Sequence, residues 1–180
     1  MKVYSSDKIR NIALLGHSGS GKTMLAEAMI HATGATNRLG RIEDGTTVAD
    51  WDEEEIKRRQ SINTSLVPCE WQGNKINVLD TPGYPDFVGD VISALRVVEA
   101  GIVVVDAVSG VEVGTELAWQ ALEQAGLPRF VFINKMDRDN ANFERALAAL
   151  REAFDGNFVP LLLPVGSESN FKGVVSVVDG

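Results

Sequence analysis

Eight residues constrain the fold of this chain more than any others. Gly16-His17-Ser18-Gly19-Ser20-Gly21-Lys22-Thr23 follows a short apolar run at 11–15 and precedes a helical pattern at 24–32. Glycines at 16, 19 and 21 let the backbone fold back on itself and turn its N–H groups inward. A helix starting directly after such a turn aims its free N–H groups and the positive end of its dipole at the same spot. The spacing is G-x-x-x-x-G-K-[ST], which is informative only between a strand and a helix, where it lies here. An ordinary Gly/Ser turn would need neither context nor Lys22 and Thr23. The chain is therefore expected to begin as strand, phosphate-cradling loop and helix.

The rest continues that rhythm. Residues 75–79 read as a strand, with Ile76, Val78 and Leu79 apolar, and 86–99 as a helix carrying Val88, Val91, Ile92, Leu95 and Val98. The β-branched run 102–105 has the pattern of a strand buried on both faces. A helix over 115–125 is closed by Gly126 and Pro128, and 129–133 is a further strand. Asn140 is a plausible cap for a helix with the stripe Phe143, Leu147, Leu150 and Phe154. Alternating strands and helices predict an α/β fold, with a mostly parallel sheet covered by helices on both faces. Ligands of such sheets bind beyond the carboxyl ends of the strands.

Two stretches interrupt the alternation. Residues 33–65 lack apolar periodicity and are dense in charge, and a connection that long is functional or disordered. Its acidic run from Asp50 to Glu55 reads as a solvated face. Residues 159–180 end on the β-type run 174–178, with no partner visible downstream.

Seventeen Lys and Arg against twenty-five Asp and Glu give a net charge of −8, which argues against a nucleic-acid grip spread over the surface. Direct DNA binding is not expected. One cysteine, Cys69, leaves no internal disulfide. No stretch reaches the roughly 18 apolar residues of a membrane span, and the first ten residues lack a signal-peptide core. A cytoplasmic protein is the expectation.

Two further motifs follow strands. Asp80-Thr81-Pro82-Gly83 places a carboxylate where it can hold Mg²⁺ and a glycine N–H where it can meet a γ-phosphate. Asn134-Lys135-Met136-Asp137 fits guanine reading. A carboxylate at Asp137 accepts two hydrogen bonds from the base's N1–H and N2–H₂, a donor pair that adenine lacks. Asn134 would hold the loop and the Lys135 stem would pack on the ring. The candidate nucleotide contacts are His17, Ser18, Gly19, Ser20, Gly21, Lys22, Thr23, Asp80, Gly83, Asn134, Lys135 and Asp137, with Thr23 and Asp80 as metal ligands. His17 reads as part of the loop's structure, and His31 and Cys69 as structural residues.

These residues resemble the GTP-binding domain of the translational GTPases, most closely elongation factor G. The resemblance extends from about Ile9 to the end. It is carried between the motifs by Asp44-Gly45-Thr46-Thr47-Val48-Ala49-Asp50-Trp51, Leu95-Arg96-Val97-Val98-Glu99, Asp106-Ala107-Val108-Ser109-Gly110-Val111 and Phe171-Lys172-Gly173-Val174-Val175. It implies a P-loop fold with a GTP-binding domain over 1–158, a first switch at about 33–65 and a second at about 80–90. It also implies that 159–180 starts an inserted subdomain and that the fold is incomplete at the C-terminal end, before a further base-contacting loop. Mg²⁺ with GTP or GDP, a monomer, and contact with the ribosome through a longer protein follow from the same likeness. By alignment back from Trp71, Ser61 stands at the family's Mg²⁺-binding Thr.

Three departures from the family pattern stand out. Tyr84 follows Gly83 where the family has a His that helps position the attacking water, and a phenol replaces imidazole in neither charge nor shape. The first switch reads Arg58-Arg59-Gln60-Ser61-Ile62 instead of Arg-Gly-Ile-Thr-Ile, and Gly19 stands where Asp is frequent. The pattern is closer to a paralogue of elongation factor G than to the main translocase. The leading expectation is GTP hydrolysis, with Lys22, Gly83 and Tyr84 as the candidate catalytic positions. The alternatives are a GTP-dependent binding switch with little hydrolysis, favoured by Tyr84, and an ATP-using P-loop enzyme, opposed by Asp137.

Overall fold

A computed structural model describes residues 2–178. Its main sheet has five strands, β1 (Ile9–Leu15), β2 (Ser65–Trp71), β3 (Asn74–Asp80), β4 (Ala100–Asp106) and β5 (Arg129–Asn134), in the order β2-β3-β1-β4-β5. All neighbours are parallel except β2 and β3, which form an antiparallel hairpin.

Period-two burial divides the core. Ala13 and Leu15 of β1 point to one face with Leu79, Val103 and Val105, whereas Leu14 points to the other with Val67, Cys69 and Val78. The first face is covered by α3 (Val88–Leu95), α4 (Val113–Gln124) and α5 (Phe143–Ala153), through Leu95, Trp119, Leu122 and Leu150. The second is covered by α1 (Lys22–Ala32), through Ala26 and Ile30. Helices thus lie on both faces, as expected. Cys69 is a buried core thiol, and His31 lies in the last turn of α1.

Several local expectations need correction. The helix expected over 86–99 is a 3₁₀ turn at Pro85–Phe87 followed by α3, which stops at Leu95. Val98 still packs in the core beyond the helix end. The cap of α5 is Asn142, whose side chain accepts from the Arg145 N–H at 2.9 Å, and not Asn140, which adopts a left-handed conformation. The terminal β-run does find a partner, upstream. β7 (Gly173–Ser176) pairs antiparallel with β6 (Leu162–Val165) in a separate two-stranded sheet.

The charged segment 33–65 is mostly turns and bends but is not without regular structure. It contains α2 (Glu53–Arg58), started by a capping box between Asp52 and Glu55 and ended by Arg59 in the left-handed region. The acidic run is a solvated face only in its middle: Glu53 and Glu54 are exposed, whereas Asp50 and Glu55 at its ends are buried, and so is Glu27 on α1. Each carboxylate has donors. Glu27 accepts from the N–H groups of Gly40 and Val48, and Glu55 from those of Ile62 and Asn63 at 2.9 Å each. A buried charge is tolerated only when it is hydrogen-bonded in this way. Among the described residues no helix is long and apolar enough to cross a membrane.

Candidate functional site

Parallel order puts the carboxyl ends of β1, β3, β4 and β5 on one edge of the sheet, and the three motif loops leave from there. The loop 16–21 turns into α1 at Gly21, whose φ of 103° favours glycine. A Cβ at Gly21 would sit 2.2 Å from Asn134 Nδ2, so the loop from β5 presses directly on the loop from β1. Lys22 Nζ donates to the carbonyl oxygens of Gly16 at 3.0 Å and His17 at 2.9 Å. Burial lowers its pKa to about 8 even though Asp80 opposes the shift. His17 faces away from this centre. Its Nδ1 accepts from the Gly114 N–H at 3.2 Å and its Nε2 lies 3.6 Å from Glu112, which pins the loop to the start of α4.

Asp80 ends β3 at 1% exposure, and among the described residues neither carboxylate oxygen has a hydrogen-bond partner. Burial pushes its pKa up to about 7, and the nearby Thr23 hydroxyl and Lys22 ammonium offset this only in part. The Thr23 and Ser61 hydroxyls are 3.1 Å apart, and Ser61 Oγ donates to Asp50 at 2.7 Å. Burial raises the Asp50 pKa, against the pull of the Ser61 hydroxyl. Two hydroxyls and one partnerless carboxylate, all oxygen donors, suit a hard cation such as Mg²⁺. Gly83 lies against the P-loop, since a Cβ there would come 2.4 Å from Lys22 Nζ and 2.7 Å from the Ser18 nitrogen. Tyr84, next along, is half-exposed.

The third loop is wired to the first. Asn134 Nδ2 donates to Ser20 O at 2.9 Å. Lys135 Nζ reaches Gly19 O at 2.5 Å and Asp106 Oδ2 at 2.7 Å. Burial alone would raise the Asp106 pKa, but Lys135 and the Val108 N–H hold it below the usual carboxylate value. Met136 is buried and Asp137 is exposed. The structure thus brings together Ser18, Gly19, Ser20, Gly21, Lys22, Thr23, Ser61, Asp80, Gly83, Asn134 and Lys135. Asp106, Asp50 and Glu55 were missed as supports, because their partners lie elsewhere in the chain and leave no local signal.

Sheet order, loop positions and the helix that starts at the phosphate loop define a P-loop nucleotide-binding domain. The family described as "Elongation factor Tu GTP binding domain" matches residues 7–179. Elongation factor G of Dehalococcoides mccartyi is 39% identical over 176 residues, covering 98% of this chain and 25% of that protein. Elongation factor G of Granulibacter bethesdensis is 39% identical over 179 residues, covering 99% and 26%. A crystal structure of a Thermus thermophilus protein superposes with a TM-score of 0.91 at 41% identity, covering 96% of this chain and 26% of that one. The chain belongs to the translational GTPases, the GTP-hydrolysing family of elongation factors Tu and G, and is similar to the G domain of elongation factor G. It spans about a quarter of the length of these relatives.

Proposed function

We propose that this chain binds GTP and GDP with Mg²⁺ and hydrolyses GTP, as the nucleotide-binding part of an elongation-factor-G-like protein acting on the ribosome in the cytoplasm. The observation that carries this reading is the fully buried, partnerless Asp80 carboxylate beside the Thr23 and Ser61 hydroxyls, next to a buried lysine. A carboxylate kept out of water with no donor is costly unless a cation comes to it.

In this reading Lys22, already held by two carbonyl oxygens, contacts the β- and γ-phosphate oxygens, and an arriving anion restores its full protonation. The N–H groups of 18–23 surround the phosphates at the start of α1. Thr23, Ser61 and Asp80 hold Mg²⁺, which when bound neutralises charge building on the phosphate oxygens. Gly83, in close approach to Ser18 and Lys22, offers its N–H to the γ-phosphate, and a water in line attacks the phosphorus. Asp137 reads the guanine edge, Asn134 ties the base loop to Ser20, and the Lys135 stem lies under the ring. Residues 33–65 and 80–90 act as the switches, 1–158 form the GTP-binding domain, and 159–180 open the inserted subdomain. The first residue and the last two lie outside the described ones.

The half-exposed Tyr84 favours a second reading, a GTP-dependent binding switch with slow hydrolysis. Titration with fluorescent GDP in Mg²⁺, competed by GDP and by ADP, tests the site: GDP displaces the probe and ADP does not. Equal displacement by both refutes the guanine assignment.

A further inference from the structure

We propose that Glu168, in the segment between β6 and β7, is a positioning residue for base recognition. This inference rests on the guanine reading of Asp137. The residues from Lys135 to Asn142 make a chain of tight turns between β5 and α5, with the Arg138 N–H on the Lys135 carbonyl and the Ala141 N–H on the Arg138 carbonyl, both at 3.1 Å. Five described residues other than glycine have positive φ, and three of them, Lys135, Asn140 and Glu168, meet at this loop. Left-handed backbone at side-chain-bearing residues persists only where the surroundings impose it, and such residues gather at functional sites.

Glu168 imposes it from outside. Its N–H donates to the Met136 carbonyl at 2.8 Å, so it holds the peptide that leads into Asp137. Its Oε1 accepts from the Asn140 N–H at 2.7 Å. The two contacts lie either side of Asp137, Arg138 and Asp139, so one residue grips both ends of the turn that presents the base-reading carboxylate. Arg145 of α5 completes the grip, donating to the carbonyl oxygens of Asn140 at 2.8 Å and Val108 at 3.0 Å. Glu168 is itself anchored, because the Phe171 N–H bonds back to its carbonyl and Phe171 packs on the cluster of Ala107, Met136 and Ala141.

The phosphate side of the loop needs no such help, since Asn134 and Lys135 are tied to the P-loop directly. Among the described residues Asp137 has no comparable tie, yet accepting two parallel hydrogen bonds is the more demanding geometry. A hook from the 159–178 region supplies what the motif itself lacks.

The test measures affinities of the 180-residue chain for GDP, IDP (which lacks the 2-amino group) and ADP in Mg²⁺. Wild type prefers GDP over both. Glu168→Ala removes the Asn140 acceptor, and Glu168→Asp shortens it by one methylene while keeping charge and backbone. Both variants should lose roughly tenfold in the GDP-to-IDP ratio, about 1.4 kcal/mol, with ADP affinity unchanged. Glu168→Gln keeps Oε1 and should stay near wild type. If Glu168→Ala does not fold, Glu168→Asp carries the comparison. A GDP-to-IDP ratio within twofold of wild type in Glu168→Asp, or equal losses for GDP and ADP, overturns the positioning role. Wild type that fails to prefer GDP over ADP overturns the guanine reading, and this role with it.

Discussion

Truncating Glu55 to Ala should release the segment around residues 59–63 while leaving the sheet intact. The carboxylate is 1% exposed, and its Oε1 accepts the N–H groups of Ile62 and Asn63 at 2.9 Å each, while Oε2 takes the Asp52 N–H at 3.4 Å. A hydrogen bond to a charged group contributes about 1.5–3 kcal/mol. The two short ones together therefore hold the segment by roughly 3–6 kcal/mol, weighed against the ordering entropy of a loop. Ser61 directly precedes this anchored pair, so its contact with Thr23 depends on them. Amide hydrogen exchange on the nucleotide-free chain reads the effect residue by residue. At the low end of the range, exchange at Ile62 and Asn63 should accelerate by about 100-fold, while core amides such as Leu14 and Val103 keep wild-type protection. Nucleotide binding in Mg²⁺ should weaken alongside. Unchanged exchange at 62 and 63 would refute the claim that this carboxylate orders the segment. Equal acceleration in the core would refute the claim that the segment opens on its own.

Other perturbations separate the remaining parts. The Asp80 carboxyl, pushed up to about 7 by burial, keeps its proton in the folded chain where an unfolded one, near 3.8, has lost it. Stability of the metal-free chain therefore falls as pH rises from about 4 to about 7. Asp80→Asn should flatten that slope in thermal melts with chelator, raise the melting temperature at pH 8, and weaken Mg²⁺-dependent nucleotide binding at least tenfold, roughly 1.4 kcal/mol. Gly83→Ala places a methyl against Lys22 and Ser18, an overpacking of about 1–3 kcal/mol that should lower affinity for a non-hydrolysable GTP analogue in calorimetry. Tyr84→His should raise single-turnover phosphate release by roughly 10²-fold if a general-base-like group is what the position lacks; no increase would refute a rate-limiting role for Tyr84.

The placing of the three motif loops at strand ends was legible because it is set by neighbours in sequence: a glycine-rich turn between a strand and a helix, and short polar runs at strand ends. Strands β1, β4 and β5 were legible from apolar runs for the same reason. Strand β2 was not. Ser65, Val67 and Cys69 point inward, but Leu66 and Pro68 on the outer side are apolar or strand-breaking and hide the period of two. Helix α2 has the sequence Glu-Glu-Glu-Ile-Lys-Arg with no apolar stripe, and it stands on its capping box and its charge order. The acids Asp50 and Glu55 looked solvated because their donors, the Ser61 hydroxyl and two backbone N–H groups, become partners only once the segment folds. Asn140 and Asn142 offer the same capping chemistry two residues apart. The turn wound over Glu168 decides between them.

The two edges of the main sheet differ in a way that governs growth. On the outer strand β2, Pro68 has no N–H to offer, which blunts that margin against further pairing. The opposite margin, β5, alternates Val131 and Ile133 into the core with Phe130 and Phe132 turned outward and 53% and 39% exposed. Among the described residues no strand lies beyond it. A ladder of unpaired backbone groups beside two bare phenyl rings is an adhesive seam. Additional polypeptide, whether from a longer protein or from a neighbouring molecule at high concentration, extends the sheet more readily along β5 than along β2.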